Sequence, residues 1–203
     1  MKARFITLEG IEGSGKTTSI KSINNFLEQK KICYINTREP GASSIGSELR
    51  EILLNPNTNI SSDVELLLML ADRKDHVEKI ILPNLLNDIC VISDRFMDSS
   101  IAYQGGGRQL DLNMINSLSA YLEFPNPDLT LLFDLPVKIS LERTKKRGEL
   151  DRFEKEEIEF HNRIRASYLK LANDNSDRIK VIDSSQSPDK VQAKVIEIIS
   201  KLF

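Results

Sequence analysis

Gly10-Ile11-Glu12-Gly13-Ser14-Gly15-Lys16-Thr17 has the spacing glycine, four residues, Gly-Lys-Thr, and Thr18 follows it. Glycines at these positions let successive backbone N–H groups curl inward onto phosphate oxygens, and a helix starting there adds about half a positive charge. Lys16 suits the β- and γ-phosphates, and the Thr17 hydroxyl suits Mg²⁺. The chemistry this predicts is nucleoside triphosphate binding, ATP or GTP. Arginine recurs through the rest of the chain at Arg38, Arg50, Arg73, Arg95, Arg143, Arg147 and Arg152. A guanidinium fork grips phosphate through two parallel hydrogen bonds. The apolar run Ile89-Cys90-Val91-Ile92 ends in Ser93-Asp94-Arg95. Asp94 is therefore placed to orient Arg95 or a water on Mg²⁺. Glu12 is the discordant residue, because a carboxylate beside a triphosphate repels it unless aimed elsewhere.

The elements needed to hold these residues are legible as short apolar runs alternating with helical patterns, the form of βαβ units around a parallel sheet. The spacing predicts strands at 4–8, 32–37, 89–92, 129–134 and 179–182. Helices are expected over about 16–30, 45–53, 63–83, 112–122 and 154–172, with a closing helix from Pro188. A polar, glycine-rich segment covers 98–108, and a basic segment lies near 143–152. The fold class is α/β, a doubly wound parallel five-stranded sheet flanked by helices, with ligands at the carboxyl ends of the strands.

At 203 residues the chain suits a single domain, by the usual ~100–200 residues per domain. With 40% hydrophobic and 29% charged residues it carries a core and a solvated exterior, which excludes dominant disorder. Lys and Arg number 28 against 30 Asp and Glu, so no global basic field draws it to nucleic acid or an anionic membrane. No run reaches ~18 apolar residues, the length a spanning helix needs, and a cytoplasmic protein is expected. Cys33 and Cys90 lie in apolar runs and read as buried, reduced thiols. The guanine-reading Asn-Lys-x-Asp and the transport-ATPase Leu-Ser-Gly-Gly do not occur in the chain.

Beyond the phosphate loop, Thr37-Arg38-Glu39-Pro40-Gly41, Leu70-Ala71-Asp72-Arg73 with His76, Asp94-Arg95-Phe96, the run 99–108 (Ser-Ser-Ile-Ala-Tyr-Gln-Gly-Gly-Gly-Arg) and Arg147-Gly148-Glu149-Leu150-Asp151-Arg152 follow in that order. Together they resemble the bacterial thymidylate kinase family over most of the chain. The resemblance implies a nucleoside monophosphate kinase fold, residues 1–203 forming one domain with a lid at about 143–153. The implied reaction moves the γ-phosphoryl group of ATP to dTMP with Mg²⁺ in a homodimer. An ionised phosphate monoester is already a nucleophile, so alignment and charge stabilisation carry catalysis and neither His76 nor His161 is needed as a base.

The same resemblance assigns Arg95, with Arg38 and Arg50, to the acceptor phosphate, and Glu12 to the deoxyribose 3′-hydroxyl, which resolves its conflict. Tyr103 would exclude a ribose 2′-hydroxyl, while Arg73, Ser100 and Gln104 would read thymine. No arginine stands in the phosphate loop and several stand in the lid, so Arg147 and Arg152 are expected as transition-state clamps and Arg143 as an adenine contact. Two departures stand out. Met69 replaces the ring that normally covers thymine, which predicts weaker dTMP binding, and Ala42 replaces a second glycine after Gly41. Two other readings compete, a kinase for a different nucleoside monophosphate and a nucleotide-binding switch module. Acceptor dependence separates them.

Overall fold

The computed structural model describes residues 2–203, the side chain of Arg147 excepted. Five strands, β1 (Phe5–Glu9), β2 (Tyr34–Arg38), β3 (Cys90–Asp94), β4 (Leu129–Asp134) and β5 (Ile179–Asp183), form one sheet in the order β2-β3-β1-β4-β5. Every neighbouring pair is parallel. β1 is buried throughout its length, as a central strand covered on both faces must be. Alternation then sorts its side chains. Ile6 and Leu8 join Leu131 and Phe133 of β4 in a core closed by Ile23 and Leu27 of α1 (Lys16–Gln29) and Val191, Val195 and Ile199 of α9 (Pro188–Ile199). On the opposite face Leu132 packs with Phe160, Ile164 and Tyr168 of α8 (Ile158–Asp174).

The chain leaves β1 toward β2 on one side of the sheet and reaches β4 on the other, so the strand order reverses at β1. The loop at Gly10 opens at that point, where ligands of doubly wound sheets bind. α2 (Gly46–Leu54) and α3 (Ser62–His76) supply the wall beyond β2 and β3. Ser61 caps α3 by accepting from the Val64 N–H.

Four expectations change. The long helix does not fade at Pro83: α3 passes through a π-helical turn, Val77–Ile81, into α4 (Leu82–Leu86). The Leu82 N–H reaches back to Val77 O in the widened turn, and Pro83 falls in the first turn of α4. Second, the glycine-rich segment 98–108 is helical, α5 (Met97–Ser100) running into π-helical turns over Ile101–Gly107 before α6 (Leu112–Tyr121). Its glycines are demanded by close packing. A Cβ at Gly105 would lie 2.4 Å from Leu112 Cδ2, one at Gly106 2.6 Å from Ser167 Cβ, and one at Gly107 2.6 Å from a Phe160 ring carbon. Third, a helix absent from the expected set, α7 (Val137–Arg147), carries the first half of the basic segment, and α8 begins at Ile158 rather than 154. Fourth, Cys33 is exposed, whereas Cys90 is buried and both are free.

Candidate active site

A cleft of about 560 Å³ opens at the carboxyl edge of the sheet, lined at one end by 12–18 and at the other by Met69, Arg73, Ser100, Tyr103 and Gln104. The phosphate loop owes its shape to close approaches. Gly10 sits at φ +135°, and a Cβ there would meet Phe133 O at 2.5 Å. Gly15 takes φ +94° at the start of α1, and no side chain caps that helix, so its first N–H groups face the cleft. Lys16 Nζ donates to Gly10 O at 3.0 Å and Ile11 O at 3.2 Å. Burial, with the nearby Arg95 charge, pulls the Lys16 ammonium down to about 8. Gly10 and Ile11 thus serve the loop from behind, while Glu12, Gly13, Ser14, Gly15, Lys16, Thr17 and Thr18 line it.

Arg95 marks the centre. Its backbone lies at φ +76°, held there by its N–H donating to Leu8 O at 3.0 Å and its carbonyl accepting from Ser93 Oγ at 2.7 Å. The guanidinium meets Glu12 Oε1 at 2.7 Å, Tyr103 Oη at 3.0 Å, and Ser99 Oγ and Tyr168 Oη, each at 3.2 Å. Burial alone would raise the Glu12 carboxyl, but Arg95 and Lys16 outweigh it and hold it below the ordinary carboxylate range. Behind Arg95, Glu9 accepts from the Phe96 N–H at 2.8 Å, Ser99 Oγ at 2.6 Å and Tyr168 Oη at 2.8 Å. Burial, reinforced by Asp98, lifts the Glu9 carboxyl to about 7.

Two oxygens facing this region are buried without a partner, Asp94 Oδ1 and Glu12 Oε2. Asp94 and the Thr17 hydroxyl line the same cleft and are oxygen donors of the kind a hard divalent cation takes. Among the described residues no cluster of three His, Cys, Asp or Glu forms a dedicated metal cage. A cation here would share its coordination with phosphate oxygens and water.

The far end is built mainly from side chains. Arg73 is 1% exposed; it donates to Glu39 Oε2 at 2.7 Å, Ser100 Oγ at 2.8 Å and Phe96 O at 3.1 Å. The other Glu39 oxygen pairs with His76 Nδ1 at 2.8 Å, and His76 Nε2 meets Thr37 Oγ1 at 2.6 Å. Asp72 accepts from the Gly41 N–H at 3.1 Å, and burial, with Glu39 adding, lifts its carboxyl to about 6. Gly41 carries the positive φ of this loop and Ala42 does not, so the alanine costs the turn nothing.

The match of a thymidylate kinase family model to residues 8–195 covers both ends of this cleft. The chain belongs to the thymidylate kinase family. A thymidylate kinase of Carboxydothermus hydrogenoformans is 47% identical over 192 residues, 94% of either chain. Another, of Nitrosospira multiformis, is 43% identical over 205 residues and spans 100% of both. The crystal structure of thymidylate kinase from Ehrlichia chaffeensis has a TM-score of 0.80 and 32% identity, covering 100% of this chain and 99% of that one.

Of the residues the family resemblance singles out, the structure brings Glu12, Lys16, Thr17, Arg38, Arg50, Met69, Arg73, Asp94, Arg95, Ser100, Tyr103 and Gln104 to one cleft. Arg50 Nη1 is held by Pro40 O at 2.6 Å. Arg143 stands on α7, its Nη1 donating to Gly13 O at 3.1 Å, and so braces the phosphate loop from outside. Arg152 is not in the cleft: it donates to Leu53 O at 2.8 Å and Glu65 Oε2 at 2.7 Å, its guanidinium 4.5 Å from the Phe153 ring. The expectation for the Arg147 side chain falls outside the described residues. Sequence reading gave no role to Glu9, Glu39, Glu65, Ser99 or Tyr168. Glu65 did leave a trace, since 65, 69, 73 and 76 recur at spacings of four, four and three along α3, one helix face.

Proposed function

We propose that this member of the thymidylate kinase family transfers the γ-phosphoryl group of ATP to dTMP, yielding ADP and dTDP, with residue roles as follows. The observation that carries the reading is the single cleft with Arg95 at its middle, a phosphate loop on one side and a buried base-reading set on the other. ATP lies along Gly13–Thr18 with Lys16 on its β- and γ-phosphates. On binding, Lys16 exchanges two carbonyl oxygens for anionic ones. Arg95, Arg38 and Arg50 hold the acceptor phosphate, whose oxygen attacks in line, so no side chain has to remove a proton. His76 is committed to Glu39 and Thr37, in keeping with that.

Glu12 and Tyr103, joined at 2.6 Å, face the sugar, with Tyr103 closing the space a ribose 2′-hydroxyl would need. Arg73, Ser100, Gln104 and Met69 receive thymine. Thr17 and Asp94 are the residues that would hold Mg²⁺, which would supply charge neutralisation on the transferring phosphates. The lid, about 143–153, supplies Arg147 to the transition state, and Arg152 joins it only by leaving Glu65. The same reading makes the enzyme a cytoplasmic homodimer. The α3 face carrying exposed Val64 and Leu67 beside Tyr121 of α6 suits a second copy. Among the described residues no helix is long and apolar enough to cross a membrane.

A coupled ADP-release assay with ATP, Mg²⁺ and a panel of dTMP, dUMP, dCMP and thymidine tests the assignment. Release is expected to be fastest with dTMP. Release independent of acceptor, or equal for all, would refute it.

A further inference from the structure

Glu65 lines no part of the cleft, yet a residue of the base end depends on it. It is 1% exposed in the first turn of α3, eight residues before Arg73. Its Oε2 accepts from Arg152 Nη1 at 2.7 Å and from Arg108 Nε at 3.1 Å, and pairs as an ion with Arg108 Nη2 at 3.0 Å. Its Oε1 accepts from Gln104 Nε2 at 2.9 Å. Gln104 is itself 1% exposed and lines the cleft.

The chemistry of these groups decides which way the glutamine amide points. A primary amide presents two donors on one side and an acceptor on the other, and the two orientations have nearly the same shape. A carboxylate flanked by two guanidinium groups offers acceptors only. It therefore draws the NH₂ of Gln104 toward itself and turns the amide oxygen away, toward the cleft. That oxygen can accept from a ring N–H and repels a ring nitrogen that carries a lone pair. Thymine and uracil have N–H at N3, whereas cytosine has a lone pair there. A buried site built around one hydrogen-bond polarity rejects the opposite polarity strongly, because the mismatched group is left unpaired.

We infer that Glu65 is a specificity-determining positioning residue: it fixes the Gln104 amide with its oxygen toward the cleft, so that the site takes pyrimidine monophosphates bearing a ring N–H and refuses those with a ring lone pair. This rests on the proposed placement of the base between Met69, Arg73, Ser100 and Gln104. Arg108 and Arg152 keep the carboxylate in place, and Arg108 is in turn held by Glu156. A glutamine at 65 would match the volume but offer a donor as readily as an acceptor, and Gln104 could then turn over.

The test is the ratio of kcat/KM for dTMP to that for dCMP in the full-length enzyme. Glu65→Gln is expected to lower the ratio at least tenfold, partly by raising turnover of dCMP. Arg108→Gln leaves the carboxylate present, with Arg152 still holding its Oε2, and is expected to leave the ratio within about twofold of wild type. A merely structural role for Glu65 would lower both substrates together and leave the ratio unmoved. Should Glu65→Gln not fold, Glu65→Asp, which withdraws the carboxylate by one methylene, is expected to lower the ratio about threefold. An unchanged ratio in the folded Glu65 variant, with wild type preferring dTMP, overturns the role of Glu65 alone. Wild type that does not prefer dTMP over dCMP overturns the base placement itself.

Discussion

The two ends of the cleft are made of different materials. The phosphate end is mostly backbone: glycines, the uncapped start of α1, and a lysine whose partners are two carbonyl oxygens. The base end is a chain of side chains, Thr37, His76, Glu39, Arg73 and Ser100, joined by hydrogen bonds at 2.6–2.8 Å. A loop of N–H groups and one desolvated ammonium must change partners when an anion arrives. A guanidinium already anchored by carboxylate, hydroxyl and carbonyl keeps those partners. The comparison separates two uses of positive charge: Lys16 is held in reserve, and Arg73 is held in place. It follows that damage at one end falls on rate and at the other on the fold.

The largest expected effect tests the first half of that statement. Lys16→Ala should lower turnover by at least about 100-fold, since it removes charge from the transferring phosphates. Its melting temperature should stay within about 3 °C of wild type, because a buried cation pulled down to about 8 contributes little stability. A large drop in melting temperature would erase the contrast. Next comes Glu39→Gln, which leaves the buried Arg73 without its counter-charge. Removing one partner of such a pair costs about 3 kcal/mol, a fall of roughly 6–12 °C in Tm for a chain of this size. Thermal unfolding within 2 °C of wild type would show the base end to be less rigidly built than its bonding implies. The smallest effect concerns the one soft contact at that end. Met69→Phe should lower KM for dTMP about three- to tenfold, the worth of an aromatic stack, with kcat little changed. Unchanged or weaker affinity would mean that the thioether already covers the base as well as a ring does.

This division also explains what was legible in the sequence. The phosphate end is local, with Gly10 to Thr18 contiguous and their spacing dictated by backbone geometry, so residue types alone predicted loop, helix and ligand. Strand 129–134 and the order of elements were equally plain, because apolar periodicity is a local property. The base end is assembled from α3, the 97–107 helix and the turn after β2, joining residues 24–39 positions apart. Here the sequence could supply candidates such as Arg73 and Gln104 but not the partners that aim them. Glu39 was visible inside a motif without a role, and Glu65 carried no role at all. Arg152 shows the limit from the other side: its residue type fits phosphate, yet α3 supplies a buried carboxylate that claims it. The helical character of 98–108 was hidden because three consecutive glycines ordinarily argue against a helix.

Those three glycines carry a consequence for the evolution of acceptor choice. Gly105, Gly106 and Gly107 press against Leu112, Ser167 and Phe160 with no room for a methyl group. Gly106 and Gly107 set the distance from α8 to the helix that bears Tyr103 and Gln104, and Gly105 sets the distance to α6. A single added carbon would force the helix of Tyr103 and Gln104 or its neighbours to move, and the same helix carries the Tyr103–Glu12 and Gln104–Glu65 hydrogen bonds. If Tyr103 and Gln104 read sugar and base as proposed, residues with no side chain guard that selectivity, and a mutation that never approaches the nucleotide would blunt sugar and base discrimination in one step.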